Sequence, residues 1–400
     1  MNILIVTQNF YPESFKSNDV AFDLVKKGHQ VTVLTGIPNY PQGKYFEGYG
    51  LCKKRSEIVK GVKIIRSILV PRGKGNTIGL LLNYFSWFFF ASFKILTFKD
   101  AFDVILVHQT SPVLQGIPAF ILKKRKKIPV YFWVLDLWPE SLTSAGGVKN
   151  KYVLSFFSKI VTYMYKHADK ILISSNGFRQ SILEKGDFQN KIIYFPNWAE
   201  DVFKKEVQFN IPKLPDGFKV MFAGNIGEAQ DLEHILKAVL KLKSISGIKF
   251  IFLGDGRKKE WVKEFVDKNN LQGSVFLMGR FPLQAMPAFF HEADVMLLSL
   301  KSELIFNLTV PARLQAYMSS SKPVIGMIDG EGAQLIKKAK CGYAVKASDS
   351  DALAEKIKYM YALRKDELIE LGKNGKDYFE MYFSKEKCLN HLVDILSESL

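Results

Sequence analysis

Short aliphatic and β-branched runs recur along the chain, each followed by a longer stretch whose apolar positions return every three or four residues. In the first half they read NILIVTQ, QVTVLT, VKIIRSI, DVILVH, PVYFWV and KILISS. In the second they read FKVMFAG, IKFIFLG, SVFLMG, DVMLLS and KPVIGM. Continuous apolar strands separated by helices predict parallel sheets covered on both faces. The rhythm stops over residues 195–217, a stretch rich in Pro and polar residues, and restarts at FKVMFAGN. Such a break marks a domain boundary. The pattern therefore predicts an α/β fold of two doubly wound, Rossmann-like domains, residues 1–199 and 200–381, facing each other across a cleft. A helical stretch from residue 351 to 400 ends the chain, and its last part, about 382–400, is expected to pack back on the first domain.

In parallel sheets, ligands bind outside the carboxyl ends of the strands. Four segments of the second half place polar or glycine-rich turns there. FAGNIGEAQDL carries Gly224, Asn225, Gly227 and Gln230, FLGDGRKKEWV carries Gly254, and GRFP puts Arg280 and Phe281 just past a strand. FNLTVPARLQAYMSSSKPVIG, residues 306–326, reads as a polar loop with Thr309 and Val310 leading into a helix with Arg313 in its first turn. Glycines let a backbone approach a ligand closely, and helix starts and arginines suit phosphate. Any one turn is commonplace, but four on one sheet edge point to a nucleotide-sugar site. In the first half, Asp136 and Glu140 follow the strand PVYFWV, Glu13 follows the first strand, and His108 ends another. Asp136 fits a general base or an anchor for a hydroxyl, with a helix-capping Asp as the alternative.

One apolar stretch departs from the alternating pattern. Between Lys74 and Lys94 lie 19 uncharged residues, near the minimum of about 20 for a membrane span. A span would leave strands of one sheet on opposite sides of a bilayer, so the stretch is expected to be a helix of the first domain. Phe85, Trp87, Phe88, Phe89, Phe90 and Phe93 nevertheless cover more than one of its faces. With Lys94, Lys99 and the run KKRKK, which includes Lys124, Arg125 and Lys126, they predict an interfacial surface for anionic lipid.

Composition sharpens this picture. The 400 residues are 48% hydrophobic, and the net charge of +17 is lopsided. Residues 1–200 hold 27 Lys+Arg against 13 Asp+Glu, a net +14, which leaves +3 for residues 201–400. A basic first half suits a polyanionic partner, an anionic membrane or a nucleic acid. The three cysteines are far apart, with no metal-ligand spacing, which suits a reducing compartment without disulfides or zinc. The strand at residue 2 is expected to open the fold with no signal peptide before it. No metalloprotease, CxxC or nucleophile-elbow motif is present.

Along almost its whole length the chain resembles the large retaining glycosyltransferase family with two Rossmann domains, the GT-B fold. The likeness is carried by NILIVTQNFYPE, KKGHQVTVLTGIPNYPQGKYFEGY, FAGNIGEAQDL, FLGDG, VFLMGRFP and TVPARLQAYMSSSKPVIG. GIPNYPQGK (with Asn39 and Tyr40), DLWPES and GNIG resemble the branch that builds bacterial O-antigen, capsule and colanic-acid repeats, N-acetyl-L-fucosamine transferases included. The resemblance implies a UDP-sugar, less often a GDP-sugar, on the second domain. It implies a polyprenyl-diphosphate-linked saccharide on the first, with no obligatory metal or other cofactor, and a cytoplasmic enzyme attached peripherally to the inner face of the cytoplasmic membrane. Departures are clear. Asn225 and Gln230 stand where the family has an Arg and a Lys on the diphosphate, and Leu308 and Ala316 replace its two glutamates. Leu135 replaces a His. Cationic help must then come from Arg280 and Arg313. The implied mechanism is front-face transfer with retention, Asp136 or Glu13 aligning the acceptor. Two rivals remain at this level: a UDP-sugar epimerase of the same fold, and a basic nucleic-acid-binding protein. The second lacks any recognition module, so no nucleic acid is expected as partner.

Overall fold

The computed structural model describes residues 1–74, 76–144, 147–204 and 209–398. Gly75 of the apolar stretch, residues 205–208 of the predicted boundary and the last two residues of the terminal helix lie outside that description. The chain forms two compact units: residues 1–195 with the chain from Leu389 onward, and Pro196–Cys388.

The first unit is built on an eight-stranded sheet. Its strands are β1 (Asn2–Val6), β2 (Gln30–Gly36), β3 (Ser56–Val59), β4 (Val62–Ser67), β5 (Val104–Gln109), β6 (Val130–Val134), β7 (Lys170–Ile173) and β8 (Ile192–Tyr194). They lie in the order β3-β4-β2-β1-β5-β6-β7-β8. All neighbours are parallel except β3 and β4, a hairpin whose two turn residues, Lys60 and Gly61, both have positive φ (49° and 81°). That backbone matches the twist of a two-residue hairpin. The polar edge strand SEIV and the three-residue β8 carry too little apolar signal to be read from the sequence. The helices of this unit are α1 (Lys16–Lys26), α2 (Thr77–Lys94), α3 (Ile117–Lys126), α4 (Glu140–Ser144), α5 (Lys151–His167) and α6 (Phe178–Leu183).

The second unit has β9 (Phe218–Ala223), β10 (Ile248–Leu253), β11 (Val275–Gly279), β12 (Val295–Ser299), β13 (Val324–Met327) and β14 (Gly342–Val345). Their order, β11-β10-β9-β12-β13-β14, is all parallel and reverses between β9 and β12. This is the doubly wound arrangement, in which ligands bind where the order reverses. Its helices are α7 (Leu232–Leu242), α8 (Lys259–Lys268), α9 (Met286–Glu292), α10 (Leu304–Leu308), α11 (Ala312–Ser319), α12 (Gly330–Lys338), α13 (Ser350–Ala362) and α14 (Lys365–Tyr382). The core between sheet and helices is aliphatic and aromatic, with Phe222, Leu236, Phe250 and Ile357 essentially without exposure. The helical tail breaks at Leu363 and again after Tyr382, and α15 (Lys385–Ser397) follows. From Leu389 its residues belong to the first unit. Leu389, Leu392, Ile395 and Leu396 are buried, and Lys27 donates to the Asn390 side chain at 2.5 Å.

Helix α2 is long and apolar enough, by length and composition, to cross a membrane. The strands flanking it, β4 and β5, lie in one sheet, which rules a span out. Asn83, Trp87 and Ala91, four apart, form its buried stripe, whereas Phe85, Phe89, Phe90 and Phe93 are 39–58% exposed. Trp87 is therefore a core residue, a correction to its assignment to the lipid-facing surface.

Candidate functional site

At the carboxyl edge of the second sheet, three loops are bonded backbone to backbone. Gly224 N donates to Leu253 O (2.9 Å), Gly254 N to Gly279 O (2.8 Å) and Ile226 N to Asp255 O (2.9 Å). Gly254 has φ 137°, and a Cβ there would lie 1.8 Å from Gly224 O. Only glycine permits that approach. The stitched loops border a cavity of about 450 Å³ lined by Gly224, Asn225, Gly254, Arg280 and Phe281, with Asp255, Leu253, Leu283 and Met286. Its size is that of a small-ligand site. Phe281 is held edge-on against Phe289, with ring centroids 4.6 Å apart. Five of the ten donor-site residues thus meet in one place.

Arg313 lies beneath them. It sits in the first turn of α11, half-buried, with its guanidinium 5.0 Å from the Phe222 ring. One terminal nitrogen donates to the Gln230 side-chain oxygen and to Ser299 O (3.3 Å), and Ser299 Oγ donates to Gln230 O. The other, Nη1, is buried without a partner and would be 3.4 Å from a Cβ on Gly224. Burial lowers its pKa from the usual value. An orphaned, desolvated guanidinium N–H is a strong donor for an anion. Gln230 is correspondingly engaged in orienting Arg313. The Asn225 side chain is wedged between Gly227 and Gly256, about 2.5 Å and 2.7 Å from where their Cβ atoms would be.

Two other assignments change. Gly227 borders a separate hollow of about 60 Å³ with Glu228, Lys258 and Lys301. Phe306 to Leu308 belong to α10, not to a loop, and the Thr309 hydroxyl donates back to Ile305 O at 2.7 Å, closing that helix. Val310 is half-buried between the two helices. Sequence reasoning missed Lys258 and Lys301, which bind Glu228 at 2.6 Å and 3.2 Å and hold its carboxyl below the usual range. The lysine run after GDG was the available signal.

In the first unit, Asp136 follows β6 and both its oxygens accept serine hydroxyls, from Ser111 and Ser141. Trp138 Nε1 donates to Ser111 Oγ at 3.0 Å. The carboxylate is therefore fixed by side chains from the loop after β5 and from the first turn of α4. No backbone N–H of α4 bonds to it among the described contacts, so helix capping does not describe it. Tyr84 of α2 lies within electrostatic reach, and burial raises its phenol pKa.

Glu13 is buried, and its Oε1 accepts the backbone N–H groups of Asn39 and Tyr40, each at 2.6 Å. Burial outweighs those bonds and the nearby Arg72 charge and pushes its pKa up to about 7. The Arg72 guanidinium lies 4.8 Å from the Tyr40 ring and 5.9 Å from that of Tyr84. Asn39, fully buried, accepts from Asn83, whose own oxygen accepts from Gln8 at 2.7 Å. Glu13 and Asn39 thus shape the loop that displays Tyr40. Arg72, Tyr84, Asn83 and Ser111 were not read as site residues because their meeting depends on α2 packing against the segments that follow β1, β2 and β4.

Glu140 is paired with Lys185 at 2.6 Å and with Ser181, away from any open carboxylate role. His108 is buried against Trp133, and desolvation pushes its pKa down to about 3, so it is neutral and structural. Among the described residues no group of three or more His, Cys, Asp or Glu is placed to hold a metal ion.

Comparison with known proteins agrees with this geometry. Residues 203–378 match the family model described as glycosyl transferases group 1, and residues 18–200 match Glycosyltransferase Family 4. The chain is 27% identical to a probable glycosyltransferase, WbjE, of Pseudomonas aeruginosa over 78% of this chain and 79% of that protein. It is 26% identical to the putative colanic acid biosynthesis glycosyl transferase WcaI of Escherichia coli, over 74% and 75%. The crystal structure of Anabaena HepE in complex with UDP superposes with a TM-score of 0.70 over all of both chains at 12% identity, a likeness of fold.

Proposed function

We propose that this chain, whose two halves match glycosyltransferase family models, moves a sugar, with retention, from a UDP-sugar to a polyprenyl-diphosphate-linked saccharide. The route is the assembly of a bacterial surface polysaccharide such as O-antigen or capsule. The observation that carries the donor half is the buried Nη1 of Arg313, unpartnered under Gly224 beside the 450 Å³ cavity. The glycine-lined cavity takes the nucleoside, and Arg313 and the loop N–H groups take the diphosphate as charge develops on it. HepE, of the same fold, binds UDP, and WcaI is named for colanic acid biosynthesis. Both fit this reading.

In the acceptor half, Asp136 receives a hydrogen bond from the acceptor hydroxyl and the departing diphosphate takes its proton. Catalysis is then mainly positioning and leaving-group stabilisation. The exposed Phe85, Phe89, Phe90 and Phe93 of α2 rest on an anionic membrane, which brings the enzyme to a lipid-linked acceptor. N-acetyl-L-fucosamine is one sugar this branch transfers, and it is the first donor to try.

The test is a thermal-shift panel of UDP- and GDP-sugars followed by transfer assays on a short-chain polyprenyl-diphosphate saccharide, with the product anomer read by NMR. Stabilisation by a UDP-sugar and product with the donor's anomeric configuration are expected. An inverted product, or stabilisation by GDP-sugars alone, would overturn the reading.

A further inference from the structure

The first unit holds its largest described cavity, about 900 Å³, at the edge of the sheet opposite Asp136. It lies between the ends of α3 and α5 and the starts of β6 and β7. From α3 come Phe120, Lys123 and Lys124, three and four apart on one stripe, and Lys127 follows as the left-handed C-cap of that helix (φ 58°). From α5 come Tyr163 and His167, their rings tilted with centroids 4.1 Å apart, and Tyr131, Lys170, Asp169 and Glu398 also line the wall.

The KKRKK run is thereby divided. Arg125 donates to Leu96 O, and Lys126 to Lys99 O (3.1 Å) and Asp100 O (2.6 Å), so these two tie down the end of α2. Lys123 is matched by Asp169 and Lys170 by Glu398. Lys124 and Lys127 have no acidic partner among the described residues, so the cavity carries two uncompensated positive charges on aromatic walls. Along α5, Tyr152, Phe156 and Tyr163 share a face and are 75%, 56% and 52% exposed, an aromatic track leading out of the cavity with the exposed Lys159 on the same stripe.

We propose that this cavity binds the headgroup of an anionic phospholipid, its phosphate on Lys124 and Lys127 and its acyl chains along Tyr152 and Phe156. Charge complementarity selects the phosphate, and the adjoining aromatic track selects a lipid over free phosphate. The site is separate from the donor cavity and from the outer face of α2. It adds recognition of single lipid molecules to the membrane contact proposed above, on which it does not depend.

Calorimetric titration of the full chain with monomeric dihexanoyl-phosphatidylglycerol tests it, with dihexanoyl-phosphatidylcholine and inorganic phosphate as the other arms. Phosphatidylglycerol is expected to bind at least tenfold more tightly than either. The double variant Lys124→Gln, Lys127→Asn should lose at least tenfold, and Phe156→Ser severalfold, with melting temperatures near the parent's. Phe89→Ser with Phe90→Ser should bind the monomeric lipid as the parent does, which separates this site from docking through α2. Equal binding of phosphatidylcholine, equal binding of inorganic phosphate, or an unchanged double variant would each overturn the proposal. If the double variant fails to fold, Lys124→Gln alone is read by the same criteria.

Discussion

Arg313 donates a hydrogen bond to the side-chain oxygen of Gln230 inside the second unit. One residue thus supplies a cation, and the other holds that cation in place. Arg313→Ala should weaken UDP-sugar use by roughly ten- to a hundredfold, the worth of a charge-assisted bond of about 1.5–3 kcal/mol. Gln230→Ala, which only frees the guanidinium, should cost less. Equal losses in the two variants, measured as kcat/KM for the donor, would show that Gln230 touches the donor itself.

Asp136 is held by the hydroxyls of Ser111 and Ser141 and not by a backbone N–H of α4 among the described contacts. Asp136→Asn should leave UDP affinity intact and cut turnover by about 10²–10⁴, the range of a positioned acid–base group. Ser111→Ala, which loosens the carboxylate, should cost a fraction of that. An Asp136→Asn enzyme with normal turnover and a lower melting temperature would make the residue purely structural.

Glu13 sets a pH dependence of stability. Its folded pKa, about 7, lies above the ordinary glutamate value of 4.5. The folded state therefore binds the proton more tightly, and this contribution is full below about pH 4.5 and lost as pH rises through 7. Glu13→Gln keeps an acceptor for the Asn39 and Tyr40 N–H groups and removes the titration. The melting temperature of the variant relative to the parent should rise from pH 5 to pH 8, by an amount reflecting at most roughly 3 kcal/mol. A flat difference would mean that Glu13 is ionised throughout.

The two faces of α2 should respond oppositely. Phe89→Ser with Phe90→Ser should release the protein from anionic liposomes and leave its melting temperature nearly unchanged. Trp87→Ala should destabilise it by about 3–5 kcal/mol, as emptying a buried indole site does. Flotation and calorimetry on the same preparations separate the two.

Much of this architecture is legible in the sequence because buried parallel strands are continuous apolar runs. FKVMFAG, IKFIFLG and DVMLLS each form the strand they suggest. The edge strands β3, β8 and β14 escape because they are short and partly exposed. Gly224, Gly254, Arg280 and Phe281 meet as expected, since each follows a strand of one sheet. Local pattern does not reveal partners: Arg313 and Gln230 are 83 residues apart, and Asp136 and Ser111 are 25. Nor does it give the orientation of an aromatic helix, where Trp87 turned inward and Phe89 outward.

The return of α15 to the first unit has a consequence for biogenesis. Met1 has the Ser397 hydroxyl 4.0 Å from its sulfur, and Lys170 reaches Glu398. Translation delivers these partners hundreds of residues apart, so the amino-terminal unit leaves the ribosome without the helix that covers Leu24's neighbourhood at Lys27. The second unit, contiguous in sequence, has all its residues by Cys388. The part made first is therefore the part completed last, and a ribosome stalled before Leu389 would release a chain whose second unit is whole and whose first is still open.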